Sequence, residues 1–271
     1  MISILYHDVV RSGAFDSSGF VVPGADLYKL DSQVFDEQLK RIADQARIRP
    51  TSLETFPVEP HGHQFLFTFD DGGATAYSVI ADSLERHGWR GHFFVATDYI
   101  GTRRFLSRCQ IRELRSRGHV IASHSCSHPP QMSRCRPSQL HREWTQSVSV
   151  LEDILGEVVR VASVPGGFYS RQVAEAAAAA GIQVLFTSRP TRKCHWVDEL
   201  LVLGRYTIRA GTASHVAAKL ASGHWLECLK QSVCWNAKGV LKRIGGRHYA
   251  KLRNIVLSAA SQPSGGRRVL P

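Results

Sequence analysis

Between Ile2 and Ile208 short apolar runs alternate with stretches of helical periodicity, and no other feature of the 271-residue chain limits its fold so strongly. The runs predict strands at Ile2–Tyr6, Gln64–Phe69, Gly91–Val95, His119–Ser123, Val159–Ser163, Val184–Thr187 and Leu201–Ile208. Helices are predicted at Ser32–Ala46, Ala74–His87, Ser107–Arg117, Arg136–Leu155, Arg171–Ala180 and Thr212–Leu220. Asp31 is the expected N-cap of the first, whose Val34, Phe35, Leu39 and Ile42 make one stripe, and Pro137 suits the first turn of the fourth. Repeated β-α units imply an α/β fold around a parallel sheet or barrel. At roughly 150 residues per domain the length suggests about two domains, but α/β barrels run to about 250, so one main domain is expected.

With 43% hydrophobic and 21% charged residues, the composition excludes a disordered or collagen-like chain. No run approaches the roughly 18 to 20 apolar residues of a membrane span, the longest soft one being Ala176–Ala180. Met1–Tyr6 lacks a signal peptide's basic start and cleavage site, so a cytoplasmic location is expected. The six cysteines form no CxxC pair, which reads as free thiols in a reducing compartment rather than a zinc knuckle or disulfide frame.

The net charge of +11 is concentrated at one end: residues 219–271 hold ten Lys and Arg against the single acid Glu227. In this segment Leu226, Leu229, Val233, Val240, Leu241 and Ile244 recur at helical spacing, with Trp225 and Trp235 nearby. Two readings follow: a terminal helix whose apolar stripe covers the barrel, or an interfacial helix holding the protein against anionic lipid. No aromatic-basic recognition module is visible, so nucleic acid is not an expected partner. The segments expected are a barrel over 1–218, a basic amphipathic helical extension over 219–259 and a flexible tail over 260–271.

Three polar clusters follow their strands at the same point. Phe65–Phe69 runs into Asp70-Asp71-Gly72-Gly73, Val120–Ser123 into His124-Ser125-Cys126-Ser127-His128-Pro129, and Val159–Ser163 into Val164-Pro165-Gly166-Gly167. Parallel strands deliver such loops to one rim, where ligands bind, so residues distant in sequence should meet there. Two imidazoles four residues apart and a carboxylate from a neighbouring strand suffice for a divalent metal with open positions. Cys126, two residues from His124, reads as a packing residue rather than a ligand.

Thr68-Phe69-Asp70-Asp71-Gly72, His124-xxx-His128-Pro129 and Pro165-Gly166-Gly167 resemble the first three motifs of the polysaccharide deacetylases, the NodB-homology domain of carbohydrate esterase family 4. The resemblance covers about Ile2–Ile208 and implies a distorted (β/α) barrel that removes N-acetyl groups from amino sugars with a divalent metal. Zinc is expected, with cobalt or nickel as alternatives. Carried over, Asp70 is the general base, Asp71 joins His124 and His128 on the metal, and the Pro165-Gly166-Gly167 turn faces substrate, with the Gly166 N–H as oxyanion donor. The opening Tyr6-His7-Asp8-Val9 is similar to the circularly shifted poly-N-acetylglucosamine deacetylase branch, in which the early histidine is the general acid, here His7.

Two departures bear on this reading. The slot where many members carry a base-orienting arginine is Ser163, and Arg205, at another strand end, is the expected substitute. A late Leu-x-Leu-x-His motif is missing, Ile208–His215 matching it poorly. The alternatives are another amide or ester hydrolase on the same barrel, a non-haem Fe(II) oxygenase, which shares the ligand set but favours β folds, and an inactive barrel serving as a membrane-associated binding module. The partners expected are an N-acetylated amino-sugar polymer or its lipid-linked precursor, and an anionic membrane surface.

Overall fold

The computed structural model describes residues 1–45, 49–53 and 64–237. The main sheet contains β1 (Ile2–Tyr6), β4 (Arg49–Pro50), β5 (Gln64–Phe69), β6 (His92–Val95), β7 (Val120–Ser123), β8 (Val161–Ser163), β9 (Val184–Phe186), β10 (His195–Val197), β11 (Leu200–Leu203) and β12 (Tyr206–Thr207). Its order is β10-β11-β9-β8-β7-β6-β5-β1-β12, with β4 on β5, and every pairing is parallel except β10 with β11. β2 (Asp8–Val10) and β3 (Lys29–Asp31) form a separate parallel pair.

The expected strand over Leu201–Ile208 is in fact two strands at opposite ends of the sheet, because β11, next to the edge strand β10, pairs with β9, whereas β12 is the far edge and pairs with β1. Only Gly204 and Arg205 separate them, and so short a link spans at most about 11 Å. The sheet therefore curls until its edges nearly meet, which is the distorted barrel. Gly204 permits the crossing: a Cβ there would lie 2.4 Å from the Arg189 carbonyl oxygen and 2.6 Å from Thr191 Cγ2.

Outside the barrel lie α1 (Ser32–Asp44), α2 (Ala81–Glu85), α3 (Arg108–Ser116), α4 (Pro137–Leu155), α5 (Arg171–Ala179) and α6 (Ser214–Ala221). Asp31 caps α1 by accepting from the Gln33 amide, and Pro137 begins α4. The helix expected from Ala74 opens instead as one π turn, Ala76–Ile80, leading into α2. Strand alternation divides the core: Phe65, Phe67, Phe93 and Ile121 pack outward under the helices, while Leu66, Phe94, Ala122, Val161, Phe186 and Leu203 fill the barrel. The boundary expected after residue 218 falls inside α6, and residues 225–237 are again helical. Residues 238–271, most of the expected extension and all of the expected tail, lie outside the described residues. Among the described residues no helix is long and apolar enough to cross a membrane.

Candidate active site

Strand parity aims the first side chains. Leu66 points into the barrel, so Thr68 and then Asp70 share its face; likewise Ala122 leads to His124 and Val161 to Ser163. Asp71 would point away if the chain stayed extended. It takes φ 79° instead, a left-handed turn that swings its carboxylate to the same centre.

There Asp71 Oδ1 lies 3.5 Å from His124 Nε2 and 3.4 Å from His128 Nε2. One ligand atom from each of the three falls within 4.8 Å of the others, the one such grouping found among the described residues. His128, at φ 53°, is braced by Phe20, whose ring centroid is 4.7 Å away. Burial opposes ionisation of Asp71, but the His124 and His128 imidazoles beside it outweigh that and hold the carboxyl well below its ordinary value. The same carboxylate raises His128 against the effect of its burial.

The donor chemistry fits a divalent ion. His124 Nδ1 lies 3.1 Å from the Ser163 carbonyl, which can only accept, and this assigns the proton to Nδ1 and leaves the Nε2 lone pair facing Asp71. His128→Ala should therefore lower zinc affinity by about 10-fold or more while the fold stays intact, as titration calorimetry would register; unchanged affinity would move the site elsewhere.

Asp70 is held on the other side. Arg205 Nη1 and Nη2 reach its Oδ1 and Oδ2 at 2.6 and 2.7 Å, a two-pronged pair buried at both ends. Arg205 Nε donates to the Thr187 carbonyl, and the guanidinium lies over Phe94 and Phe186, 5.4 and 5.8 Å from their centroids. Burial alone would raise the Asp70 carboxyl, but the Arg205 guanidinium on both its oxygens keeps it below the usual carboxylate range. Asp70 is thus ionised at neutral pH and sits 3.8 Å from His124 Nε2.

Ser163 is the connecting residue that sequence reasoning missed, having noted it only as a lost arginine. Its hydroxyl donates to Asp70 Oδ1 at 3.1 Å and lies 2.6 Å from His124 Nδ1, which donates to it. Ser163 joins Asp70 to a candidate metal ligand, a place a guanidinium cannot take.

His7 follows Leu5 on the inward face of β1, with its ring centroid 4.7 Å from that of Tyr28. Burial lowers its pKa against the pull of the Asp71 and Asp70 carboxylates, and its Nδ1 is buried without a hydrogen-bond partner. In the Pro165–Gly167 turn, Gly166 and Gly167 have φ 60° and 70°. Pro165 has no N–H, and the Gly167 amide donates to the Val164 carbonyl at 3.3 Å, so Gly166 is the amide to consider for an oxyanion. Cys126 is buried, donates to Asp98 Oδ1 at 2.9 Å, and burial and Asp98 push its thiol up to about 12. All six cysteines are free.

The family model described as polysaccharide deacetylase matches residues 58–185. YxkH of Bacillus subtilis (strain 168) is 27% identical over 214 residues, covering 77% of this chain and 74% of its own. A chitooligosaccharide deacetylase of Bradyrhizobium sp. (strain ANU 289) is 30% identical over 123 residues, 45% of this chain and 54% of its own. Among solved structures, IcaB from Ammonifex degensii superposes with a TM-score of 0.66 at 21% identity, over 81% of this chain and 96% of that one, a likeness of fold.

Proposed function

We propose that this chain, whose residues 58–185 match the polysaccharide deacetylase family, is a hydrolase of carbon–nitrogen bonds other than peptide bonds that removes N-acetyl groups from amino sugars of a bacterial polysaccharide or its precursor with the help of a divalent metal. The observation that carries this reading is a carboxylate ionised by a buried arginine beside an Asp-His-His donor set. Asp71, His124 and His128 would hold the ion, zinc by choice of ligands. When bound, such an ion supplies Lewis-acid polarisation of an amide carbonyl and makes water more acidic.

The protein's own groups do the rest. Asp70, oriented by Arg205 and Ser163, takes the proton from the attacking water. The Gly166 N–H is assigned to the developing oxyanion. His7, with an uncommitted buried nitrogen, delivers a proton to the departing amine. The barrel serves as the catalytic domain and the basic extension as the contact with an anionic membrane.

His7→Ala should lower kcat for acetate release from N-acetylglucosamine oligomers by about 10²- to 10³-fold with zinc content unchanged. A kcat within about 3-fold of wild type would move the acid role to another group. Release from chitin-type and poly-N-acetylglucosamine oligomers, set beside release from lipid-linked N-acetylated sugars, identifies the substrate class. Cleavage of none of them, with zinc bound, would refute the amino-sugar reading.

A further inference from the structure

The helical stretch 225–237 is amphipathic the wrong way round for a helix that covers a core. Its polar side faces the barrel: the Gln231 carboxamide accepts from the Thr207 amide and donates to the Thr207 carbonyl, and Ser232 Oγ donates to the Pro190 carbonyl. Cys228 is buried beside Tyr206. Its apolar side faces outward: Trp225, Leu226, Leu229 and Val233 are 66, 41, 52 and 57% exposed, and they recur at the spacing of one helical stripe. Of the two readings the sequence allowed, this geometry disfavours the one in which the stripe covers the barrel.

Two observations bear on what the stripe meets and where. The sequence around it is cationic, with Lys219 before it, Lys230 within it and eight more Lys and Arg between 238 and 268, against the single acid Glu227, which Lys230 pairs at 3.0 Å. An exposed Trp and aliphatic stripe embedded in such charge matches an anionic bilayer interface better than a neutral or basic protein surface. The same helix also reaches the active-site rim, since a Cβ built on Gly167 would lie 3.3 Å from Cη2 of Trp235.

We propose that residues 225–237 are an interfacial helix that seats the enzyme on an anionic membrane through Trp225, Leu226, Leu229 and Val233, and that this attachment brings the rim at Gly167 to amino sugars held there by a lipid. The substrate part rests on the deacetylase reading; the seating does not.

The test uses the full chain and the double variant Leu229→Glu/Val233→Glu, both changes falling on exposed positions outside the catalytic groups. Flotation with phosphatidylglycerol-rich vesicles is read beside acetate release from a soluble oligomer and from a lipid-anchored N-acetylglucosamine substrate in the same vesicles. Wild type should float, the variant should bind about 10-fold or more weakly, and only its rate on the anchored substrate should fall in proportion. Equal flotation of both proteins, or none by wild type, overturns the seating. A wild-type dimer that the variant splits, without flotation, makes a second copy the occupant and overturns it too. An equal fall in both rates overturns the link to the substrate. Absence of release from every sugar counts against the deacetylase reading alone, because flotation is scored without it.

Discussion

Asp70→Asn should fold, keep a stoichiometric zinc and release acetate about 10²- to 10⁴-fold more slowly than wild type, the range that loss of a general base commands. The substitution preserves shape and leaves one oxygen for Arg205, but a carboxamide cannot take a proton from water. The donor set is separate: Asp71, His124 and His128 face one another without needing Asp70. Metal content and activity should therefore part company in this variant. Activity within about tenfold of wild type would place proton removal on another group.

The second large effect is on stability. Arg205→Met leaves a buried carboxylate with its cation gone, and breaking a buried pair from one side costs about 3–5 kcal/mol. The pH dependence should also change sign. In wild type the folded Asp70 carboxyl lies below its unfolded value of about 3.9, so the pair contributes fully above that pH and is lost as pH falls through the lowered folded value. Without Arg205, burial dominates and the folded carboxyl should rise above about 3.9, so stability should decline as pH rises through that region. Urea denaturation of both proteins between about pH 3 and 7 compares the slopes. Parallel slopes would show that Arg205 does not hold Asp70 ionised. Arg205→Lys should recover part of the stability but little activity, since an ammonium cannot grip both oxygens.

Much of the site was legible because period-2 alternation is rigid: once Phe65–Phe69 is a strand with Leu66 inward, Asp70 must face the barrel. The same logic places His124 and Ser163. The position of Asp71 was not available from alternation, since it depends on one left-handed residue after the strand ends. Arg205 was nameable as a strand-end residue, yet its path was hidden. Leu201–Ile208 reads as one apolar run, and the break at Gly204 is set by the close approach of the Arg189–Thr191 backbone, a tertiary contact.

The β2–β3 pair escaped notice for a different reason. Its buried members include Asp8 and Lys29, residues that count against a strand, and they are satisfied only through distant partners: Asp8 accepts from Ser18 and Thr75, and Lys29 donates to the carbonyls of Phe15 and Ser18. Ser163 carries no signal of its own, because its value lies in touching two groups that arrive from other strands. The spacing of Leu226, Leu229 and Val233 predicted a stripe but not its direction, which Gln231 and Ser232 decide by bonding to barrel carbonyls and an amide.

The most direct measurement is acetate release from N-acetylglucosamine oligomers by protein stripped of metal and then titrated with zinc, with zinc content determined in the same samples. The account predicts no release from the stripped protein and a rate that rises in proportion to occupancy up to one ion per chain. Undiminished release from metal-free protein, or none at full occupancy on any N-acetylated sugar, would contradict it.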